Sequence, residues 1–404
     1  MSVEPMNPDK LHTANLLGDL RKMIEQARAV VASEVNSRLT LLYWQIGNRI
    51  NQEILKGKRA DYGAEIVLTV SKQLEMEHGN GFSAKNIRHM MRFAEAFPDD
   101  RIVSTLSRQL SWSHFKEIFY LEQPLQKEFY AEMCRVERWS VRTLRNKVGS
   151  MLYERTALSR KPEAVARAEL EKLREEDRIT PDLVFKDPYF LDFLGLKDRY
   201  LEKDLEDAIL RELENFLLEL GSGFTFVARQ KRITVDRDDF YIDLLFFHRY
   251  LRRLVAIELK LDKFRPEHKG QMELYLRWLD KYDRKPGEDT PLGIILCAGK
   301  NTEQIELLEL SHSGIHVAEY LTELPPREIL QRKLHDAIAR SRVLLENRCA
   351  DVDAAIETTT NPVIVESPVV HAGKSDGERV LGAKVKKYVA VRQERVKSQK
   401  QGRK

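Results

Sequence analysis

Residues 240–260 read FYIDLLFFHRYLRRLVAIELK. Two runs of β-branched, aromatic and aliphatic residues, Tyr241 to Phe247 and Leu254 to Leu259, flank a polar turn at His248 to Arg253, a pattern that predicts a β-hairpin. Each run is apolar on both faces, so both strands are expected to be covered above and below. Three ionisable groups interrupt them: Asp243, Glu258 and Lys260. Side chains alternate along a strand, which puts Glu258 and Lys260 on one face, and hairpin pairing brings Asp243 beside them. Charges buried there without partners are costly, which leaves two explanations, a metal site or an ion-pair cluster. In the first, Asp243 and Glu258 are hard oxygen ligands, a carbonyl such as that of Leu259 completes one side of the shell, and water and a substrate phosphate fill the rest. Lys260 is then free to hold the attacking water or to stabilise charge at phosphorus. In the second, Glu258 neutralises Lys260 and Asp243 is a turn-facing acid.

Downstream, PEHKGQMELYLRWLDK (residues 266–281) has helical spacing, with Met272, Tyr275, Leu276 and Leu279 in one stripe and Gln271 one turn before Tyr275. An Asp, then Glu-x-Lys, then Gln-x-x-x-Tyr resembles the PDDEXK nuclease superfamily. GFTFVARQKRI, FYIDLLFFHR, LVAIELK, GQMELYL and GIILCAGK look like the bacterial YhcG-type proteins, and so do NSRLTLLYWQIGNRI, LSWSH and WSVRTL nearer the start. The resemblance covers roughly residues 12 to 325 and departs mainly in the C-terminal tail. It implies an α/β C-terminal nuclease domain, a restriction-endonuclease-like mixed sheet with flanking helices, preceded by an all-α N-terminal domain. It also implies a nuclease that uses magnesium, with manganese as the alternative ion. Asp243, Glu258 and Lys260 map onto the catalytic set, and Gln271 with Tyr275 would position the lysine or the substrate strand. The family's acid on the first helix of the fold maps best to Glu206, a metal-ligand candidate, with Glu202 second; a solvated first-turn acid is the plainer reading. DNA is the expected substrate and RNA stays open. The rival reading keeps the fold as a catalytically silent nucleic-acid-binding or assembly component.

Upstream, residues 11–155 read as helices. Ile24, Ala27, Val31, Val35, Leu39, Leu42, Ile46 and Ile50 recur at helical spacing and suggest one long packing helix or two end to end. AEIVLTVSKQLEMEH ends at Gly79-Asn80-Gly81, and a second helix starts after Ser83 and runs to Pro98. Two helices so joined fit a helix-turn-helix, whose second helix would present Lys85, Asn86, Arg88, His89 and Arg92 to DNA. The plainer reading is a helical hairpin with a solvated basic face. Trp112 and Trp139 read as core anchors. Residues 156–181 are charged and alanine-rich and read as an exposed helical linker. The nuclease-like domain is placed at 182–326, with LVFKDPYFLDFLGL docking on its core and one amphipathic helix over 201–220. A helix over 327–349 follows, then a disordered basic tail over 350–404. Arg252, Arg253, Lys263, Arg265 and Lys269 lie close enough in sequence to the hairpin to guide a nucleic-acid backbone.

The chain has 404 residues, enough for two or three domains, with 32% charged residues and a net charge of only +4. Any basic footprint must therefore be local. Cys134, Cys297 and Cys349 have no paired spacing, which argues against a disulfide framework or a cysteine zinc site and for a cytoplasmic compartment. No run reaches membrane-spanning length, and the start lacks the pattern of a secretory signal. No partner other than nucleic acid is indicated, save a homodimer, which duplex cleavage would favour.

Overall fold

The computed structural model describes residues 8–56, 60–196, 201–308 and 310–359. The chain up to Cys349 forms one compact unit, which holds everything discussed below except the last turns of the final helix. The tail over 360–404 lies outside the described residues. Among the described residues, no helix is long and apolar enough to cross a membrane.

The first half is helical: α1 (Pro8–Lys56), α2 (Ala60–His78), α3 (Ala84–Ala96), α4 (Asp100–Ser107), α5 (Trp112–Ile118), α6 (Pro124–Glu137), α7 (Val141–Gly149), α8 (Leu152–Arg155), α9 (Glu163–Glu176) and α10 (Pro181–Val184). α1 is a single helix. Its C-terminal part packs on α3 so closely that a Cβ at Gly47 would sit 2.0 Å from the Met90 carbonyl oxygen, which only glycine allows. The apolar stripe read from the sequence splits: Ile50 is buried and Ile46 partly buried against Val67, Ile87 and Met90, but Ile24, Val31, Val35, Leu39 and Leu42 are exposed. α2 stops at Gly79, whose φ of +89° suits a residue without a Cβ. Ser83 stands at the N-cap of α3 without a side-chain cap bond. His114 and Trp139 join two turns, the ring Nε2 bonding the Trp139 carbonyl at 2.9 Å.

The charged segment read as an exposed linker is instead packed. Ala166, Leu170 and Leu173 of α9 are fully buried, and Arg135 and Arg174 pair with Glu132 beneath it. Its charges occupy one face and its small and apolar residues the other, so the composition shift marked amphipathicity and not a solvent-spanning connector.

The second half is a six-stranded sheet, β1 (Tyr189–Phe190), β2 (Phe224–Val235), β3 (Asp238–His248), β4 (Arg253–Lys263), β5 (Leu292–Gly299) and β6 (Ile315–Leu321), in the order β1-β6-β5-β4-β3-β2. β2, β3 and β4 are antiparallel and β4, β5, β6 and β1 parallel, so the sheet is mixed. Helices α11 (Glu202–Arg211), α12 (Leu213–Leu220), α13 (Pro266–Tyr282) and α14 (Thr302–Leu307) accompany it. The single helix expected over 201–220 is broken at Glu212 (φ −106°, ψ 32°), and Leu205 and Ile209 before the break and Phe216 and Leu220 after it are fully buried. Leu244, Phe246, Val255, Ile257, Leu259, Ile294 and Leu296 face α11, α12 and the helical half in one continuous core. Leu245, Ala256, Ile295, Cys297 and Val317 face α13. Both surfaces of the central strands are thus covered, the reason they carry almost uninterrupted apolar sequence.

The segment after Pro181 ties the halves together through buried charge. Asp187 accepts from Lys300, Arg160 and the Glu319 N–H, and the two cations hold its carboxyl well below the usual range despite burial. The last helix, α15 (Arg327–Thr359), packs back: Leu330 and Leu334 bury against Met151 and Phe190, and Arg342 donates to the Ser159 carbonyl.

Candidate active site

The β3–β4 ladder runs from His248↔Arg253 to Leu244↔Ile257 and stops there. The next main-chain donor toward β3, the Leu259 N–H, is taken by Asp243 Oδ2 at 2.9 Å. The carboxylate therefore fills the notch where the two strands part, and the hairpin pairing itself brings Asp243 alongside Glu258. Even-numbered residues of β4 point to the α13 side of the sheet, so Glu258 and Lys260 share a face, with Lys260 Nζ donating to Glu258 Oε1 at 2.9 Å.

α13 closes the site from above. Gln271 Nε2 donates to the same Glu258 Oε1 at 3.0 Å and to the Tyr275 hydroxyl at 2.7 Å, and that hydroxyl donates to the Tyr241 carbonyl at 3.0 Å. The spacing of four puts Gln271 and Tyr275 on one helical face, as read from the sequence. The partner differs: the chain of bonds holds Glu258 and not Lys260. Glu258 Oε2 is buried and accepts no hydrogen bond.

Across the sheet, Gln230 was not read as a site residue. It lies on β2 between the pairs Arg229↔Leu244 and Lys231↔Ile242, opposite Asp243 by register, with a backbone φ of +42° that is unusual for a side chain of this type. Its Nε2 donates to Asp243 Oδ1 at 3.1 Å and to Glu206 Oε2 at 2.9 Å. One amide thus separates the two acids. Glu206, on α11, is buried; Arg229 Nε lies 3.2 Å from its other oxygen, an ion contact without hydrogen-bond alignment. The strand-register count that pairs 230 with 243 was the one signal in the sequence pointing to Gln230.

The electrostatics follow from crowding acids in a dry notch. Burial first, then the charge of Asp243, push the Glu258 carboxyl up to about 7, against the pull of Lys260. Burial raises Asp243 as well, opposed by the Leu259 N–H and Lys260. Glu206 is raised by burial and drawn back by Gln230. Burial works against the Lys260 charge, but Glu258 prevails and keeps it protonated.

Two like-charged buried carboxylates and an unsatisfied oxygen fit a divalent cation. Among the described residues no group of three or more His, Cys, Asp or Glu side chains stands ready to hold a metal. A magnesium site needs only one or two carboxylates, because waters and substrate phosphate fill its other positions. Asp243 Oδ1 and Glu258 Oε2 are therefore the protein oxygens suited to it, with Glu206 linked to Asp243 through the Gln230 amide.

The remaining residues read as site candidates lie elsewhere. Arg252 and Arg253 sit at the far end of the hairpin beside Asp289, five strand residues or about 17 Å from Glu258. Arg265 is engaged with Asp262 and Glu267, Lys269 with Glu273, and the Lys263 stem lies over Gly299. On α3, Lys85, Arg88 and Arg92 are exposed, but Asn86 is spent on the preceding turn, donating to the Gly81 carbonyl, and His89 is half-buried against Phe119 and Tyr120. Near the same core, His316 bonds the Lys186 carbonyl and His268 accepts from the Arg265 N–H at the first turn of α13.

A helix-flanked mixed sheet with an Asp on one hairpin strand and Glu-x-Lys on the next defines a nuclease of the PDDEXK class. Residues 182–335 match the YhcG PDDEXK nuclease domain family and residues 19–155 the DUF1016 N-terminal domain family. The Escherichia coli (strain K12) protein YhcG is 33% identical over 355 residues, which cover 80% of this chain and 93% of the E. coli protein. The chain belongs to the YhcG family. Among solved structures, a repair endonuclease from Pyrococcus abyssi matches 32% of this chain and 50% of its own at 19% identity and a TM-score of 0.22. An EndoMS complex with double-stranded DNA matches 32% of this chain and 49% of its own at 18% identity and a TM-score of 0.23. The chain thus spans about half the length of those solved structures.

Proposed function

We propose that the protein hydrolyses phosphodiester bonds in DNA with a divalent cation, magnesium or manganese, held by Asp243 and Glu258. The observation that carries this reading is the buried Glu258 Oε2, which no hydrogen bond satisfies, beside a second carboxylate. A bound cation would neutralise the acids and polarise the scissile phosphate and its attacking water. Asp243 is oriented for this by the Leu259 N–H and Gln230, and Glu258 by Gln271. Lys260, whose ammonium donates to Glu258 Oε1 while Oε2 is left for the ion, is placed to hold the water or to meet charge growing on the phosphate oxygens. Tyr275 fixes the Gln271 amide from behind. Lys85, Arg88 and Arg92, exposed and without an ion pair among the described residues, are suited to the backbone phosphates. Buried free Cys134 and Cys297 fit a cytoplasmic protein.

A binding or assembly component has no physical need for such a costly cluster, which favours the enzyme over that alternative. The test is cleavage of duplex DNA, single-stranded DNA and RNA with and without magnesium, by the parent protein and by Asp243→Ala and Lys260→Ala. The expected result is magnesium-dependent cleavage of DNA, reduced at least ~100-fold in each variant. Unchanged cutting by both variants overturns the assignment, and cleavage of RNA alone overturns the substrate.

A further inference from the structure

Every residue of α1 from Asp19 to Val35 is exposed, whereas the helix beyond them packs against α3 and α4. Most helical stability in proteins comes from burial of an amphipathic face rather than from helix propensity. Yet this segment carries an apolar face: Leu20, Ile24, Ala27, Val31 and Val35, continued by Leu39 and Leu42 where the helix already lies on the body. Val31 is 63% exposed and Ile24 53%.

The stripe is separate from the packed side. At about 100° per residue, Thr40, fully buried, stands about 180° round from Val31. Asn36, Ser37, Trp44 and Gly47 lie on the Thr40 side, where they meet Leu110, Ser107, Phe97 and Met90. α1 thus has two faces, and the folded chain covers one.

We propose that a second copy of this chain covers the other, the two α1 helices pairing side by side. Three features select that occupant. The stripe from Leu20 to Leu42 is about 33 Å long, which calls for a straight partner of equal length and not a globular pocket. Two of its positions recur after eleven residues, Leu20 to Val31 to Leu42 and Ile24 to Val35, a period that keeps two identical helices in contact along their length. The charges along residues 19–42 are balanced, Asp19, Glu25 and Glu34 against Arg21, Lys22, Arg28 and Arg38, so the arm selects no strongly acidic or basic partner and does not repel its own kind. This inference does not rest on the nuclease reading, although paired chains would bring two active sites to one duplex.

The test is the mass of the full-length protein in solution by light scattering and by sedimentation over a dilution series. The parent is expected as a dimer. Val31→Glu with Val35→Glu, which places two acids in each half of the seam, is expected to weaken pairing at least ~100-fold and give monomers. Ala29→Glu, on the opposite side of the arm, is expected to leave the dimer intact. All three proteins should melt alike in the body, since the arm lies outside its core. A parent that is monomeric throughout the series overturns the proposal, as does a dimer that survives the double substitution or is lost equally in the Ala29 variant.

Discussion

Replacing Glu258 by glutamine should make the cation-free protein more stable at neutral and alkaline pH while abolishing its chemistry. The folded-state carboxyl, at about 7, lies above its ordinary 4.5. A raised value means that the folded chain holds the proton more tightly than the unfolded one. The contribution is therefore fully present below pH 4.5, is lost as the pH climbs from 4.5 to 7, and is gone above 7. The span from 4.5 to about 7 converts to about 3 kcal/mol, and the penalty at pH 5 to about 1 kcal/mol. Glutamine imitates the protonated acid and keeps an oxygen for Lys260 and Gln271, so Glu258→Gln avoids the penalty. For a cooperative unit of this size, about 3 kcal/mol raises the melting temperature by about 5 °C. The assay is thermal unfolding in a chelator at pH 5 and pH 8, repeated with magnesium. The variant should melt about 5 °C above the parent at pH 8 and by a much smaller margin at pH 5. Magnesium should raise the parent more than the variant. A variant that melts at or below the parent at pH 8 refutes the reasoning, because Glu258 would then not be an acid ionised at a cost.

Two further outcomes test the scaffold that holds the site. Gly47→Ala drives a Cβ to 2.0 Å from the Met90 carbonyl oxygen, where backbone must move; a loss of about 3 kcal/mol or more is expected in denaturant unfolding, and a variant within 0.5 kcal/mol of the parent, roughly the scatter of surface changes, contradicts the close packing. Asp187→Asn leaves Lys300 and Arg160 facing a neutral amide in a buried place; about 3 kcal/mol should be lost near neutral pH, and an unchanged melting temperature denies the network its part in joining helices to sheet.

The site was legible in the sequence wherever chemistry was local or periodic. Strand alternation put Glu258 beside Lys260, a helical spacing of four put Gln271 beside Tyr275, and hairpin pairing carried Asp243 to them. Gln230 escaped because nothing in its own neighbourhood marks it: its role comes from strand register across the sheet and from a backbone turned to φ +42°. The arginines at 252 and 253 stand away from Glu258 for the converse reason. They are close to Glu258 in sequence, but an extended strand carries neighbours apart by more than 3 Å per residue.

By itself, the sequence determined the hairpin, the order of its strands and the helix that follows, and the placing of Asp243, Glu258 and Lys260 together, because periodicity and burial cost act within a few residues. It could not decide which face of α1 is covered, whether the charged helix over 163–176 spans solvent or packs, or which partner Gln271 holds. Those outcomes depend on contacts between different elements, Gly47 with Met90, Glu132 with Arg174, Gln271 with Glu258. Their energies exist only once the chain has brought those surfaces together.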